Sequence, residues 1–520
     1  MEKQFVHADG KILRDINGEE FAMKGVGLGG WMLPEGYMWG SYKYYERPRR
    51  FEERITELVG ETEAAIFWDK YYKSFISDKD FELISNHGFN SIRLPINFRM
   101  IMEENELTDD VVFLESGFKM IDYVVEQCKK HNQYLILDLH GAPGGQTGAN
   151  IDDSKYDKPE LFTKRIYQVQ TIKIWEELAR RYKDETIIAA YDLLNEPLPK
   201  HNEKLYDKLI PLYKEIIQAI RKIDTHHMIS IEGVNWSTDF SVLNERLDDN
   251  VIIHFHKYWN SPTVETIKEF LDKRDQLNHP LYMGEGGEND CYWYAAAFKL
   301  YDQLNISWNF WTYKKIENTN SIISFKKPDN WLTLFKKDED ISKEKAIRML
   351  NEFLKNIKFE NCVVNKKVTN HLFRKDEFMI PSAFYDNYGE GISFQTNGTK
   401  ESSIRKNDKT SIVNKDGNEY EQQFSRLNKE QIEAEKYPYL HMYKNDFYNY
   451  TFDQNSVDES KIIITHNDVD FKVYINDNPQ TLDKKDGYSV IKFVGTKGSN
   501  VLRIECIKQG IIRQIKLVKR

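Results

Sequence analysis

Short apolar runs alternate with segments of helical apolar spacing from residue 21 to residue 311. Eight such runs recur, at residues 21–28, 90–96, 134–139, 187–194, 228–232, 251–255, 280–283 and 306–311. The segments with helical spacing between them include residues 113–129, 161–182, 205–223 and 266–277. Strands that alternate with helices pair in parallel, so this pattern predicts a closed (β/α)8 TIM barrel. An open doubly wound sheet is the rival, but no GxGxxG fingerprint follows the first strand.

The pattern changes near residues 355–370, where helical spacing gives way to short runs of strand type. These runs are residues 392–395, 461–465, 471–475, 488–494, 501–505 and 511–518, with turn signals such as Asn397-Gly398 and Asp486-Gly487 among them. Many short strands joined by such turns are typical of an all-β sandwich. We therefore predict a (β/α)8 barrel over residues 1–358 and a C-terminal β-sandwich over residues 359–520.

Composition and charge indicate which kinds of binding partner and which structural frameworks the sequence does not favour. A net charge of -9 and the lack of a long basic block argue against nucleic acid. No apolar run approaches the roughly 18 residues of a membrane span, so we predict no transmembrane segment. The N-terminus lacks an apolar core of signal-peptide length, which predicts a cytoplasmic protein, or a secreted one whose signal has been removed. The four cysteines form no CxxC pair, so neither a zinc knuckle nor a disulfide framework is indicated.

Polar and aromatic residues stand at the ends of most predicted barrel strands. The fourth strand runs into Asn195-Glu196-Pro197 and the seventh into Gly284-Glu285-Gly286. Other strands end in Arg93, in His140, in His254-Phe255-His256-Lys257-Tyr258 and in Trp311. Because the carboxyl ends of barrel strands carry the chemistry, Glu196 and Glu285 should face each other across one mouth. Two carboxylates that flank a sugar bond are the requirement for glycoside hydrolysis.

Taken one at a time, these residues can also be purely structural. Asn195 and Glu196 can cap a following helix, Arg93 can belong to a barrel ion pair, and His140 can be a buried core histidine. A zinc site is the alternative chemistry, because His254 and His256 share one face of a strand and can join His140 and a glutamate as ligands. The joint pattern of two glutamates with polar and aromatic neighbours favours a glycosidase, which needs neither a metal nor another cofactor.

The same residues resemble the signature of a retaining β-glycosidase of glycoside hydrolase family five, over roughly residues 5–355. Asn195-Glu196-Pro197 matches the family's acid/base motif. Gly284-Glu285-Gly286 matches its nucleophile motif, although an aromatic residue more often follows that glutamate. The remaining signature positions are matched by Arg93 in Arg-Leu-Pro, His140 in Leu-His, His256 and Tyr258 in His-x-Tyr, and Trp311 in Trp-Thr-x-Lys.

The resemblance implies a role for each residue around the two glutamates. Glu285 is the expected nucleophile, kept ionised by Arg93 and Tyr258, and Glu196 is the expected acid/base. The remaining roles are a hydrogen bond from Asn195 to the sugar 2-hydroxyl, a floor under the sugar from Trp311, and orientation of hydroxyls and glutamates by His140 and His256.

Two further stretches, residues 25–35 and 140–148, are similar to the exo-β-1,3-glucanase branch of the family. In that branch the glutamate matching Glu35 binds hydroxyls of the reacting sugar, and the loop after His140 helps to close the pocket. We therefore expect a retaining hydrolase of β-glucosidic bonds, of exo-β-1,3-glucanase or β-glucosidase type, acting on a β-glucoside or oligosaccharide by double displacement. An endo-acting cellulase or mannanase of the same family is one alternative, and a non-catalytic carbohydrate-binding protein is another.

The predicted sandwich loosely resembles carbohydrate-binding jelly rolls in its strand pattern. Its tyrosines crowd together at positions Tyr437, Tyr439, Tyr443, Tyr448 and Tyr450. They can form a platform on which sugars stack, or they can pack the domain against the barrel. We favour packing.

Overall fold

In the computed structural model, which describes residues 4–41, 45–336, 341–399, 402–421 and 437–519, eight parallel strands close into a barrel. The strands are Lys24–Gly27, Ser91–Asn97, Tyr134–Gly141, Ile188–Asp192, Met228–Glu232, Val251–His256, Leu281–Gly287 and Ser307–Trp311. The predicted barrel is confirmed. Its strands could be recognised because parallel strands covered on both faces are nearly continuous apolar runs. The first strand is shorter than predicted, since Glu20–Phe21 pairs with an N-terminal hairpin instead.

Helices lie between the barrel strands and after the last of them, and four, Glu115–His131, Arg165–Tyr182, Leu209–Arg221 and Lys268–Leu277, lie close to the predicted segments. The α-helices are Pro48–Val59, Glu61–Ser74, Asp78–Asn86, Phe98–Ile101, Glu115–His131, Arg165–Tyr182, Leu209–Arg221, Val234–Ser237, Lys268–Leu277, Cys291–Gln303, Lys343–Asn356 and Lys366–Leu372. The 3-10 helices are Gly36–Trp39, Glu160–Phe162, Lys200–Lys208, Val264–Ile267, Trp331–Phe335, Phe359–Asn361 and Lys406–Asp408. Helix Glu115–His131 illustrates the rule, because it buries Phe118, Ile121, Val125 and Cys128 on one face. It ends at Asn132, which adopts the left-handed conformation common at helix ends.

An N-terminal hairpin covers the amino-terminal end of the barrel. Its strands are His7–Asp9 and Ile12–Arg14, and Glu20–Phe21 adds a third strand to this sheet. Val6 and Leu13 share one apolar cluster with residues of the barrel strands, among them Ile136 and Ile252. A second small sheet contains Lys314–Ile316, Ile323–Phe325 and Val363–Val364. With this end filled by apolar side chains, the opposite, carboxyl end of the strands is free to carry polar groups.

Two antiparallel sheets face each other in the C-terminal part of the chain. One contains Phe378–Pro381, Ser411–Val413, Tyr439–Met442, Glu459–Asn467, Asp483–Lys485, Tyr488–Val494 and Gly510–Lys519. The other contains Phe394–Gln395, Phe447–Gln454, Asp470–Ile475, Asn478–Pro479 and Gly498–Lys508. Their inner faces form a single core, to which Ile464 and Leu517 contribute from one sheet and Leu502 and Ile504 from the other. The predicted all-β sandwich is confirmed. Among the described residues, no helix has both the length and the apolar character needed to cross a bilayer.

The tyrosines of this segment are packed inside the protein. Tyr437, Tyr439, Tyr448 and Tyr450 are at most 4% exposed, so they form no sugar-stacking platform. Tyr443 is partly exposed and stacks on His441 with a centroid distance of 5.0 Å. The possibility that another part of the sandwich binds carbohydrate stays a prediction.

The chain divides into two compact units that are not two consecutive blocks. The first is residues 1–257, 270–286 and 307–364, and the second is residues 258–269, 287–306 and 365–520. Within the second unit, helix Cys291–Gln303 is buried along almost its whole length. Arg374 Nε donates a hydrogen bond to the carbonyl oxygen of Ala295 at 2.6 Å, and the ring of Tyr437 lies 4.8 Å from that of Tyr292.

Ending the chain at Val364 should therefore destabilise the protein by several kcal/mol. Helix Cys291–Gln303 would lose the apolar partners that residues 365–520 supply to it, and each large side chain exposed costs about 1.5–3 kcal/mol. Thermal unfolding of the truncated and full-length chains would measure the loss. Ile392→Ala in the full chain is the control, because Ile392 is 64% exposed and its truncation should leave the transition unchanged. A truncated chain that unfolds at the full-length temperature would contradict the expectation.

Candidate active site

The two predicted catalytic glutamates come together at the carboxyl ends of the barrel strands. Glu285 lies in the seventh strand, and Glu196 lies four residues beyond the end of the fourth. A carboxylate oxygen of Glu196, one of Glu285 and a ring nitrogen of His256 lie within 4.8 Å of one another. Both glutamates are largely removed from solvent, with exposed fractions of 8% and 4%. The site thus presents two closely spaced carboxyl groups in a poorly hydrated environment.

Arg93 is a fully buried cation below these carboxyl groups. Its guanidinium contacts Glu285 Oε1 and donates to Asp192 Oδ2 at 2.9 Å, Asn195 Oδ1 at 2.8 Å and Glu232 Oε1 at 3.2 Å. It also forms an ion pair with Asp138 Oδ2 at 3.2 Å. A buried charge is tolerated only when it is paired, and here the pairing is extensive. Burial lowers the pKa of Arg93, but the carboxylates, Asp138 and Asp192 foremost, raise it well above its usual value. The guanidinium therefore stays charged beside Glu285.

Glu196 is held in an unusual backbone conformation. Its φ is 48°, in the left-handed region that side chains other than glycine rarely adopt. The N–H of Glu196 donates to Glu232 Oε2 at 2.7 Å, and Glu196 Oε1 lies 2.6 Å from His256 Nδ1. Burial raises the pKa of Glu196 well above its usual value, and the charges of Glu285 and Glu35 raise it further. Glu196 is therefore suited to carry the proton of a general acid.

His140 and Trp311 form a stacked pair beside the glutamates. Their rings lie 5.5 Å apart at an angle of 7°, and Trp311 Nε1 donates to the hydroxyl of Tyr37 at 2.8 Å. His140 Nδ1 lies 2.7 Å from Asp138 Oδ2, and Asn195 Nδ2 lies 3.3 Å from His140 Nε2. Burial lowers the pKa of His140 to about 3, so the ring is neutral and can accept from Asn195.

Glycine in the first barrel strand leaves room for this pair. A Cβ at Gly27 would lie 2.5 Å from the ring of Trp311, and one at Gly29 would lie 2.5 Å from Thr312 Oγ1. These distances are too short for any larger residue without a shift of the neighbouring side chains. The glycine-rich stretch that suggested the exo-glucanase branch thus has a local packing reason.

The loop after His140 is tied to the segment that follows the fourth barrel strand. Gln146, which is fully buried, donates from Nε2 to the carbonyl oxygens of His140 at 2.6 Å and Asn195 at 3.0 Å. Arg47 Nη1 donates to the carbonyl oxygen of Ser154 at 2.6 Å, which joins this loop to the segment that follows Glu35. Glu35 itself is 3% exposed and immediately precedes the 3-10 helix Gly36–Trp39. Two loops are therefore fixed by buried polar contacts rather than left free at the mouth.

Tyr258 is the one predicted site residue that clusters with the second compact unit. Its carbonyl oxygen accepts from Asn289 Nδ2 at 3.4 Å, and its ring lies 5.4 Å from that of Trp259. The hydrogen bond expected from Tyr258 to Glu285 stays a prediction.

Asp138, Asp192 and Glu232 are site residues to which the sequence analysis assigned no role. All three are fully buried and contact Arg93. A signal for them existed, because each is an acidic residue inside or at the end of an apolar run. Acidic side chains are almost never fully buried unless they are paired.

The histidines of the zinc alternative also lie close together. Ligand atoms of Glu232, His254 and His256 are within 4.8 Å of one another. Their ring nitrogens, however, already have hydrogen-bonding partners: His254 and His256 meet through Nε2 at 3.0 Å, and His254 Nδ1 lies 3.1 Å from Asp192 Oδ1. Zinc bound to these rings would have to replace those hydrogen bonds. That activity needs no metal or other cofactor stays a prediction.

Comparison with known proteins finds a glycosyl hydrolase family model and glycoside hydrolases as relatives. Residues 54–316 match the family described as Cellulase (glycosyl hydrolase family 5). The beta-xylosidase of Phanerodontia chrysosporium is 30% identical over 368 residues, which cover 64% of this chain and 75% of that one. Endoglucanase C of Acetivibrio thermocellus is 31% identical over 314 residues, covering 48% of this chain and 88% of that one. A probable glucan 1,3-beta-glucosidase A of Emericella nidulans is 28% identical over 287 residues, which cover 52% of this chain and 68% of that one.

Proposed function

The chain belongs to glycosyl hydrolase family 5, and from this premise we propose that it hydrolyses β-glucosidic bonds by double displacement with retention of configuration. The observation that carries the proposal is the oxygen-to-oxygen separation of Glu196 and Glu285, which is within 4.8 Å. Retaining glycosidases hold their two carboxyl groups about 5–5.5 Å apart, whereas inverting enzymes need about 6.5–9.5 Å to admit a water molecule. The narrow spacing favours direct attack by one carboxylate.

In the first step, Glu285 attacks the anomeric carbon while Glu196 protonates the departing oxygen. The Arg93 guanidinium contacts Glu285 and supports its ionised form before attack. The raised pKa of Glu196, caused by burial and then by Glu285, keeps its proton available for the leaving group. The products of this step are the free aglycone and a glycosyl ester on Glu285.

In the second step, Glu196 acts as the base. The ester carries no charge, so the influence of Glu285 that raised the pKa of Glu196 is gone. Glu196 can then take a proton from water, which attacks the anomeric carbon and releases Glu285. Asn195, oriented by Arg93 and His140, is placed to bond the sugar 2-hydroxyl in both steps.

We propose that the substrates are β-glucosides, and that the chain end of the substrate enters a closed pocket from which the enzyme acts in exo fashion. The loops fixed by Gln146 and Arg47 support walls around the site, and Trp311 supplies an aromatic floor. The similarity to an endoglucanase favours a second candidate, endo action on a glucan of the same β class. Product analysis on a β-1,3-linked glucan separates them, because exo action releases glucose from the start and endo action releases oligosaccharides first.

Hydrolysis of an aryl β-glucoside should release the β-anomer first. Two successive inversions at the anomeric carbon, one by Glu285 and one by water, restore the starting configuration. Proton NMR spectra taken before mutarotation would show the product. The Glu285→Ala variant serves as a control for contaminating glycosidases. An α-anomer as first product would rule out double displacement, and no release of aryl alcohol from any β-glycoside would rule out the proposed substrate class.

A further inference from the structure

Four buried side chains form a continuous row that leads away from the acid/base. Asp192 Oδ1 lies 3.1 Å from His254 Nδ1, His254 Nε2 lies 3.0 Å from His256 Nε2, and His256 Nδ1 lies 2.6 Å from Glu196 Oε1. Asp192 and both histidines are at most 1% exposed. Because each contact joins two groups that can exchange one proton, the positions of the protons can be worked out from one end.

The row begins at an ionised carboxylate. The permanent charge of the buried Arg93 guanidinium beside it lowers the pKa of Asp192 against the effect of burial and keeps this carboxylate ionised. Asp192 also accepts from the guanidinium of Arg93 at 2.9 Å and from Ser230 Oγ at 2.9 Å. An acceptor of this kind requires a donor opposite, so His254 carries its proton on Nδ1.

The remaining protons follow from the neutrality of the two rings. Burial lowers the pKa of His254 and of His256, which favours neutral rings that carry one N–H each. With its proton on Nδ1, His254 can only accept at Nε2, and His256 must donate from its own Nε2. The Nδ1 of His256 is then left with a lone pair that faces Glu196. A hydrogen bond of 2.6 Å at this point requires that Glu196 be the donor.

We propose that His254 and His256 form a chain of hydrogen bonds, anchored on Asp192, that holds the acid proton on Glu196. Glu196 in its protonated form has an acceptor in line with it, whereas ionised Glu196 would face a lone pair. A hydrogen bond made only by the neutral form of a carboxyl group favours that form. His254 touches neither substrate nor reacting atoms in this arrangement and is a positioning residue.

The backbone next to Glu285 leaves space for this chain of hydrogen bonds. A Cβ at Gly284 would lie 1.6 Å from His254 Nε2, so the glycine before Glu285 is what admits the ring. Other charged or titratable groups face the two ends. Around Glu196 they are Glu285, Glu35, Arg93, Asp138 and Glu232, and around His254 they are Asp192, Glu232, Arg93 and Tyr282. These groups determine the electrostatic potential at Glu196 and at His254, whereas the histidines determine which oxygen of Glu196 carries the proton.

The wild-type enzyme allows a direct test by nitrogen-15 NMR of its histidine rings. We expect His256 to be protonated on Nε2 and bare on Nδ1, and His254 to be protonated on Nδ1 and bare on Nε2. Non-protonated and protonated ring nitrogens resonate far apart, and His254→Gln and His256→Gln spectra assign the signals. The opposite tautomer of His256, with its proton on Nδ1 toward Glu196, would overturn the proposal.

Two variants of His254 give a functional test that rests on the proposed glycosidase activity. His254→Phe keeps a ring but offers no acceptor to His256, so His256 should move its proton to Nδ1 and donate to Glu196. That change favours the ionised form of Glu196 and so lowers its pKa. The alkaline limb of the kcat/KM profile is the decrease caused by loss of the Glu196 proton. We expect this limb to move to lower pH by about one unit. At a fixed pH on that limb kcat/KM should be about tenfold lower.

His254→Gln is the matched control. Its side-chain oxygen can replace Nε2 as acceptor, so the alkaline limb should stay near its wild-type position while the Nδ1 donor is lost. Equal displacement of the limb in both variants, or displacement in neither, would contradict the chain. The ring spectra do not depend on turnover, so a wild-type protein that hydrolyses no β-glycoside would refute the proposed function and leave the proton assignment separately measurable.

Discussion

Glu285→Ala should lower turnover of an aryl β-glucoside by several orders of magnitude. The first step needs a carboxylate within reach of the anomeric carbon, and without it no glycosyl-enzyme can form. Protonation by Glu196 would remain, but with an activated aryl leaving group it contributes little. The kinetic measurement is the steady-state release of nitrophenol, compared between variant and wild-type enzyme at equal folded concentration.

The loss in this variant should reflect chemistry rather than unfolding. Arg93 would keep three carboxylate partners, Asp138, Asp192 and Glu232, so the buried cation would remain paired. Glu285→Gln is the matched control for shape, because it keeps the size of the side chain and an oxygen toward Arg93 but cannot attack. Both variants should be equally inactive and similarly stable. Turnover of either one within tenfold of wild type would remove Glu285 from the role of nucleophile.

The anomeric configuration of the product formed with azide gives a second test of the role of Glu285 as nucleophile. Azide can enter the space that Glu285→Ala vacates and displace the aryl group in a single inversion. The expected product is the α-glycosyl azide. Formation of the β-glycosyl azide would mean that a second nucleophile still forms an intermediate, and the assignment of Glu285 would be wrong.

The barrel strands and the positions of Glu196 and Glu285 at the barrel mouth could be predicted because they depend on local sequence. A strand buried on both faces must be apolar, and polar residues at its carboxyl end mark the mouth of the barrel. Runs such as residues 228–232 and 488–494 coincide with observed strands for this reason. The sequence analysis does not predict strands Tyr439–Met442 and Phe447–Gln454, although Tyr448, Tyr450 and Phe452 alternate with polar residues in the second of them.

The ion-pair network below the glutamates depends on contacts between distant strands. Asp138, Asp192 and Glu232 meet Arg93 only because four strands are brought into one register. The left-handed backbone of Glu196 likewise comes with a contact to a distant strand, the hydrogen bond from its N–H to Glu232. No single run of sequence contains that information. The clustering of residues 258–269 and 287–306 with the sandwich is another tertiary property that apolar spacing does not encode.

Glu196→Ala should behave differently from Glu285→Ala, because Glu196 serves each step as a proton carrier. With an aryl leaving group of low pKa the first step needs little protonation, so glycosyl-enzyme should form on Glu285 and accumulate. The second step should become rate-limiting, since no base remains to activate water. General acid/base catalysis contributes about 10²–10⁴-fold, and steady-state turnover should fall by a factor in that range. A burst of nitrophenol before slow turnover would reveal the trapped intermediate.

Azide should restore turnover of Glu196→Ala, because azide is already a nucleophile and needs no base. It would attack the glycosyl ester on the face from which the aglycone left, so that two inversions give the β-glycosyl azide. Substrates with poor leaving groups should not be rescued, since their first step lacks its acid. Glu196→Gln is the matched control, and it should show the same burst and rescue because an amide can neither donate the acid proton nor act as base. If azide gave the α-product here, or rescued poor leaving groups equally, Glu196 would not be the acid/base that its raised pKa and its contact with His256 indicate.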